Sequence, residues 1–187
     1  MSGFQPEWLA LREGADHRAI NHTVRRHLLG YLADHANVHV ADLGCGTGSN
    51  FRSLAPEIAA RQLWLLVDHD EKLLQLAATM TADVAAACQI EVRAHQADLS
   101  GGDIVEIAAH CDLITAAALF DLIAPDVIET MVGHIADAGV AFYTVLTYDG
   151  VAAWLPENPL NTAMRDAFNR HQQTDKGFGP AAGPDAT

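Results

Sequence analysis

Val40-Ala41-Asp42-Leu43-Gly44-Cys45-Gly46-Thr47-Gly48 is the stretch that decides the fold. From Val38 to Leu43 the chain is short, apolar and β-branched, which reads as a strand. Gly44, Gly46 and Gly48 follow without a gap. A helix then starts near Ser49, with Phe51, Leu54 and Ile58 on one face and Pro56 bending or closing it. Glycines at a strand end permit a tight turn and let a ligand press against bare backbone. The helix N-terminus beyond them offers free N–H groups and a partial positive charge. The stretch therefore predicts a site for a polar or anionic ligand. A dinucleotide fingerprint needs Gly or Ala where Ser49 stands, and a phosphate-binding Walker loop needs a Gly-Lys-Ser/Thr that is absent.

Outward from this loop, strands and helices alternate. Gln62 to Val67 reads as a second strand ending at Asp68. Asp70 caps a long helix with Leu73, Ala77, Met80 and Val84 inward. Ile90, Val92 and Ala94 alternate as a third strand that ends before Asp98. A short helix is expected at 103–109, a fourth strand from Cys111 to Ala116, a helix opened by Pro125, and a fifth strand from Val140 to Leu146. Near-continuous apolar strands between amphipathic helices predict an α/β fold: a Rossmann-like, doubly wound, mostly parallel sheet. Before it, residues 7–13 read as a short helix, followed by a break at Gly14. Asp16 then caps a helix with Ile20, Val24, Leu28 and Leu32 as its stripe. After it comes a helix at about 158–172 with Leu160, Met164 and Phe168 as its stripe, then a loop-like tail, Gly177-Phe178-Gly179-Pro180 to Pro184. One domain is expected over 1–187: a helical leader or lid (1–36), a cofactor-binding core (37–150), and a C-terminal helix with a Gly/Pro tail (151–187).

Composition narrows the function. Half of the 187 residues are hydrophobic (50%), enough for a core. Eleven Lys+Arg stand against 24 Asp+Glu, a formal charge of −13. That balance argues against nucleic acid and against an anionic membrane, since both need clustered basic charge. Cys45, Cys88 and Cys111 are odd in number and form no CxxC pair, which excludes a disulfide framework or zinc ribbon. The N-terminus shows no signal peptide and no run reaches the ~20 apolar residues of a membrane span, so a cytoplasmic location is expected.

Asp42-Leu43-Gly44-Cys45-Gly46-Thr47-Gly48 resembles motif I of the class I S-adenosylmethionine-dependent methyltransferases, in which an acidic strand end precedes GxGxG. The resemblance extends over about 38–147 and the helical leader. It implies S-adenosyl-L-methionine as cofactor, with the loop (Asp42, Gly44, Cys45, Gly46 and Gly48) around its methionine and ribose. Val67-Asp68-His69-Asp70 is similar to motif II, which makes Asp68 the ribose ligand, with His69 beside it. Ala97-Asp98-Leu99 resembles the segment that receives the adenine, its acid accepting from the adenine amino group. Cys111 to Leu119 resembles the fourth-strand motif, placing Thr115 near the cofactor. Arg12 in the leader is a candidate for the cofactor's carboxylate. The pattern departs at the C-terminus. The family's sheet ends in an antiparallel hairpin, and the 40 residues after Thr147 hold no clear pair of strands. A missing hairpin exposes a sheet edge and favours dimerisation.

Methyl transfer from a sulfonium is an in-line displacement, in which the protein aligns and desolvates. A base is needed only for a protonated acceptor, and Asp121, Tyr148 and His171 are the catalytic candidates. A covalent role for Cys45 is not expected. The ten histidines show no metal-ligand spacing, and no metal is expected. The expected function is methylation of a small-molecule acceptor. Two alternatives stay open: a non-catalytic methyltransferase-like subunit, and an NAD(P)-dependent oxidoreductase, disfavoured by Ser49 and by the lack of a Tyr-x-x-x-Lys pair.

Overall fold

The computed structural model describes residues 5–177 and 179–187; Phe178 of the tail, like residues 1–4, lies outside the described residues. Five strands, β1 (Asn37–Leu43), β2 (Arg61–Asp68), β3 (Glu91–Gln96), β4 (Leu113–Ala117) and β5 (Ala141–Val145), form one sheet of order β3-β2-β1-β4-β5. Every pairing is parallel, with Val40 opposite Trp64 on one side of β1 and opposite Leu113 on the other. The order reverses between β1 and β4. That switch point opens a crevice at the carboxyl ends of the strands, directly beyond Leu43.

Alternation along the strands feeds two cores. Val38 and Val40 join Trp64, Leu66 and Leu113 on one face, under α2 (His22–Leu32), α3 (Ser49–Leu54) and α4 (Glu71–Cys88). Ala41, Leu43, Val67, Ile114 and Ala116 face the other way, under α5 (Asp103–Ala108) and α6 (Pro125–Asp137). Asp42 shares the parity of Val40 and so points toward α3. Behind α3, Trp64 meets Phe51 edge-on at 5.0 Å, and its indole N–H donates to Gln62 at 2.7 Å. The Gln62 amide in turn donates to the carbonyls of Ala55 and Ile58, closing the 3₁₀ turn Ala55–Glu57. This buried network is fully paired, which fixes where α3 ends and hence where it begins.

Both ends of the chain differ from expectation. In the leader the first helix, α1 (Pro6–Ala19), runs on through Gly14 and Asp16. A helical glycine costs only about 1 kcal/mol, and the Arg12–Asp16 pair at i, i+4 spans it. The break falls at Ile20, and Asn21 is the cap of α2, accepting from the N–H groups of Thr23 and Val24. Because Ile20 lies outside α2, the buried stripe there is Arg25, Leu28 and Leu32, and Val24 is exposed. In α4, Thr81 takes the inward place expected for Met80. At the other end, α7 (Asn161–Gln172) buries none of its residues, so Leu160, Met164 and Phe168 form an exposed stripe instead of a core one. The tail is ordered against the body: Ala182 N–H donates to the Ile123 carbonyl at 2.8 Å, and Ala181, Ala182 and Gly183 are buried. Among the described residues no strand follows β5; the tail contributes a single antiparallel bridge between Asp175 and Pro180.

Candidate functional site

The glycine loop is built by its own backbone. Cys45 N–H donates to the Val67 carbonyl and Gly48 N–H to the Cys45 carbonyl. Gly44, Gly46 and Gly48 all have positive φ, at 62°, 54° and 81°. A Cβ on Gly44 would stand 2.7 Å from Leu119 Cδ1, and the left-handed backbone there strains any other residue, so glycine suits the loop where it passes Leu119. A Cβ on Gly48 would meet Thr81 Cγ2 at 2.6 Å. Gly48 therefore serves close packing of α3 on α4 and does not line the cavity.

Asp68 ends β2 beside this loop. Its Oδ2 accepts from Gly46 N–H at 2.8 Å and its Oδ1 from Asp70 N–H at 3.0 Å. The carboxylate is buried yet retains lone pairs facing the cavity. His69 Nδ1 lies 3.3 Å from it. Asp70 caps α4 through Lys72 and Leu73 N–H, as its position predicts.

Asp42 and Asn50 form the floor. Asn50 Nδ2 donates to Asp42 Oδ1 at 2.7 Å and to Thr115 Oγ1 at 3.1 Å. Asp42 Oδ2 and Asn50 Oδ1 are buried without a partner. Burial pushes the Asp42 carboxyl up to about 7, opposed by the Asn50 hydrogen bond and reinforced by the charge of Asp68. Burial likewise drives the Cys45 thiol far above its ordinary value, with Asp42 and Asp68 adding to it, which removes thiolate chemistry there.

A cavity of about 130 Å3 lies over these groups. Of the expected site residues it brings together Arg12, Asp42, Gly44, Cys45, Gly46, Asp68, His69, Ala97 and Leu99. Its roof is α1, through Leu9, Arg12, Asp16 and His17, and its far wall is aliphatic, from Ala117, Ala118, Leu119, Leu122 and Leu146. Arg12 Nε holds Asp16 Oδ2 at 2.7 Å. His17 Nε2 lies 3.0 Å from Ser49 Oγ, at the start of α3.

The other expected residues stand elsewhere. Asp98 is exposed: its Oδ1 accepts from Ser100 N–H and Oγ–H, which holds it below the ordinary carboxylate range. It lines an adjoining recess with His69, Gln96, Ala97, Asp103, Lys176 and Gly177. Thr115 is fully buried beneath Asn50 and does not reach the cavity. Asp121 sits in the short turn Phe120–Leu122, behind the lining residues Leu119 and Leu122. Its Oδ1 is buried and unpartnered, and burial raises its pKa against the N–H groups of Asp121 and Tyr148 and the charge of Arg12. Tyr148 donates its hydroxyl to Asn169 at 2.7 Å and packs on Phe168. His171, at the exposed end of α7, accepts from Lys176 Nζ through its carbonyl at 3.0 Å, and Lys176, not His171, reaches the cavity. Asn50, His17 and Lys176, which also line the cavity, are not among the expected site residues. Asn50, an asparagine inside the first turn of a helix that starts at the loop, carried the one usable signal, since asparagine gains little there unless its amide has a partner.

These features match a known family. The model of the methyltransferase domain matches residues 40–139, more than half of the chain. The chain belongs to that family. It is a class I S-adenosylmethionine-dependent methyltransferase by the glycine loop, the strand order and this match. The fold is also that of a SAM-dependent methyltransferase from Aquifex aeolicus, with a TM-score of 0.58 at 13% identity, over 94% of this chain and 89% of that one. The DszA carbon methyltransferase gives a TM-score of 0.52 at 15% identity, over 70% of this chain and 37% of that one. No curated protein matches the sequence. In this methyltransferase no described helix is long and apolar enough to cross a membrane.

Proposed function

We propose that the chain transfers a methyl group from S-adenosyl-L-methionine to a small-molecule acceptor, within a single domain formed by leader, core and tail. One observation carries this reading. The glycine loop, the Asp68 carboxylate and the unpartnered acceptors on Asp42 and Asn50 converge on one cavity at the switch point. The lining fits the cofactor: a carboxylate to accept from a diol, acceptors for an ammonium, and apolar Ala97 and Leu99 for a base. The cavity is smaller than the roughly 300 Å3 at which ordinary ligand pockets begin, so α1 moves outward to admit a nucleoside.

When bound, the cofactor supplies a methyl group already activated on a sulfonium. The chain's part is binding, alignment and exclusion of water. Asp68 would accept from the ribose hydroxyls while its remaining bonds keep the loop in place. Arg12, released from Asp16, would meet the carboxylate. Asp98 is a candidate for the adenine amino group from the adjoining recess, once the Ser100 contacts give way. The aliphatic far wall would hold the acceptor. Asp121, with a raised pKa and a free lone pair behind that wall, is the candidate general base. Tyr148 and His171 would shape the acceptor entrance. The chain's net charge of −13 disfavours nucleic acid as the acceptor. Two further points belong to the same reading. Three free cysteines fit a reducing cytoplasm. The outer edge of β5, which among described residues pairs only with β4 on its inner side, would be a dimer contact.

Calorimetric titration with S-adenosylmethionine, S-adenosylhomocysteine and NAD(P)H tests the reading. Micromolar binding of the adenosyl compounds alone is expected. A response to NAD(P)H alone would overturn it, and binding of neither would favour a partner subunit without a donor.

A further inference from the structure

The cavity floor holds an arrangement that the ribose and adenine contacts do not use. Asp42, Asn50 and Thr115 are 1%, 6% and 0% exposed. Their order is fixed by chemistry. In its ionised form, the one a bound cation favours, Asp42 cannot donate, so the Asn50 amide turns its nitrogen toward it; the inverted amide would set two oxygens face to face. Both Asn50 N–H groups are then spent, one on Asp42 Oδ1 at 2.7 Å and one on Thr115 Oγ1 at 3.1 Å. What remains is a pair of acceptors, Asp42 Oδ2 and Asn50 Oδ1, both buried and both without a partner. Leaving two such groups unpaired costs free energy, and the two residues bearing them line the cavity. A site of two or more acceptors and no spare donor selects a group with several N–H and positive charge.

We propose that Asn50, anchored by Thr115, is a positioning residue that locks the Asp42 carboxylate and joins it in receiving the ammonium group of the ligand's amino-acid portion. The inference rests on the S-adenosylmethionine reading and deepens it. Asn50 makes the floor specific for an aminated ligand; adenosine recognition is left to Asp68 and its neighbours. Position suits the role, because Asn50 stands on the first turn of α3, one residue past Ser49 and next to the loop. Thr115, which the fourth-strand resemblance places at the cofactor, acts through Asn50 instead.

Three ligands separate the roles: S-adenosylhomocysteine, its deaminated analogue, and 5′-methylthioadenosine, which lacks the amino-acid portion. The wild type should prefer S-adenosylhomocysteine over the deaminated analogue by about tenfold or more, the range of a charge-assisted bond. Asn50→Leu should bring the two within about twofold, and the isosteric Thr115→Val should narrow the preference in part, a smaller share of the same charge-assisted bonding. Affinity for 5′-methylthioadenosine should stay at the wild-type value in both, which also reports an intact fold. If Asn50→Leu does not fold, Thr115→Val decides alone. Full discrimination retained in the variants that fold overturns the proposal. So does an equal loss for all three ligands, which would make Asn50 a prop of the loop. Failure of every adenosyl ligand to bind the wild type would instead remove the cofactor reading, and this proposal with it.

Discussion

Arg52 grips Glu13 with two hydrogen bonds, Nε to Oε1 at 2.9 Å and Nη2 to Oε2 at 2.6 Å, and so ties α1 to the helix behind the glycine loop. Nη1 of the same guanidinium donates to the Thr47 carbonyl at 2.6 Å. One side chain thus holds both the glycine loop and the roof of the cavity. The roof has little else: α1 buries none of its residues and adds the His17–Ser49 contact.

Glu13→Gln keeps the shape of the latch and removes its charge. Charge-assisted bonds are roughly twice as strong as neutral ones, so α1 should open more often. Amide exchange in α1 should accelerate by about tenfold, or about 1.4 kcal/mol of local opening, with exchange in the strands unchanged. Unaltered exchange in α1 would mean the roof is held by its apolar contacts. The variant leaves Arg52 on Thr47, so the loop itself stays as it is.

Asp68→Ala should damage two properties at once. It removes the proposed ribose acceptor, and it strands the N–H groups of Gly46 and Asp70 that the carboxylate now receives. A fall of about a hundredfold in S-adenosylhomocysteine affinity is expected, the equivalent of about 2.7 kcal/mol. Urea unfolding should show a loss of about 1–3 kcal/mol, because buried donors left unpaired are costly. Asp68→Asn retains an acceptor oxygen and should recover part of the stability without the affinity. Equal affinity in Asp68→Ala and wild type would take Asp68 out of the binding site.

Much of this is legible in the sequence. The strand, turn and helix around Gly44 rest on local rules, and those rules place Asp70 as a cap and Pro125 at a helix start, where the structure has them. What is not legible depends on which partner a side chain takes and on what covers it. The place of Asp98 after β3 says nothing of Ser100, two residues on, whose N–H and hydroxyl hold its Oδ1. The stripe of α7 has helical spacing, but spacing cannot say whether anything covers it. Asp16 has the chemistry of a cap, and Arg12 one turn earlier claims it for an ion pair. Lys176 enters the cavity because the tail folds back on the turn at Ile123, a contact across more than fifty residues that no periodicity encodes.

Gly48→Ala tests the packing role of the last loop glycine. The new Cβ would lie 2.6 Å from Thr81 Cγ2, and the backbone there has a φ of 81°. Overpacking of this kind costs about 1–3 kcal/mol, and a left-handed backbone adds about 1–2 kcal/mol for an L-residue. Thr81→Ser deletes the clashing methyl while keeping the hydroxyl that donates to the Ala77 carbonyl at 2.7 Å. The double variant should regain the packing part and keep the backbone part. Additive losses in denaturant titration would show that Thr81 is not what Gly48 makes room for.

Asp42 gives the protein a pH dependence with a definite sign. Unfolded, its carboxyl releases a proton near 3.8; folded, burial chiefly, with the Asp68 charge adding, moves that to about 7 despite the Asn50 bond. Between these values the native state binds more protons than the unfolded state, so this group's contribution falls as pH rises from about 4 to about 7 and is level above. The size is on the order of a few kcal/mol. Asp42→Asn can still accept from Asn50 and carries no charge, so it should lack this slope. Urea midpoints of both proteins at acidic and at neutral pH isolate the term, since every other titrating group is shared. The variant should gain on the wild type as pH rises. Parallel profiles would mean that Asp42 is ionised across the range and that its unpaired oxygen is stabilised by something other than a ligand.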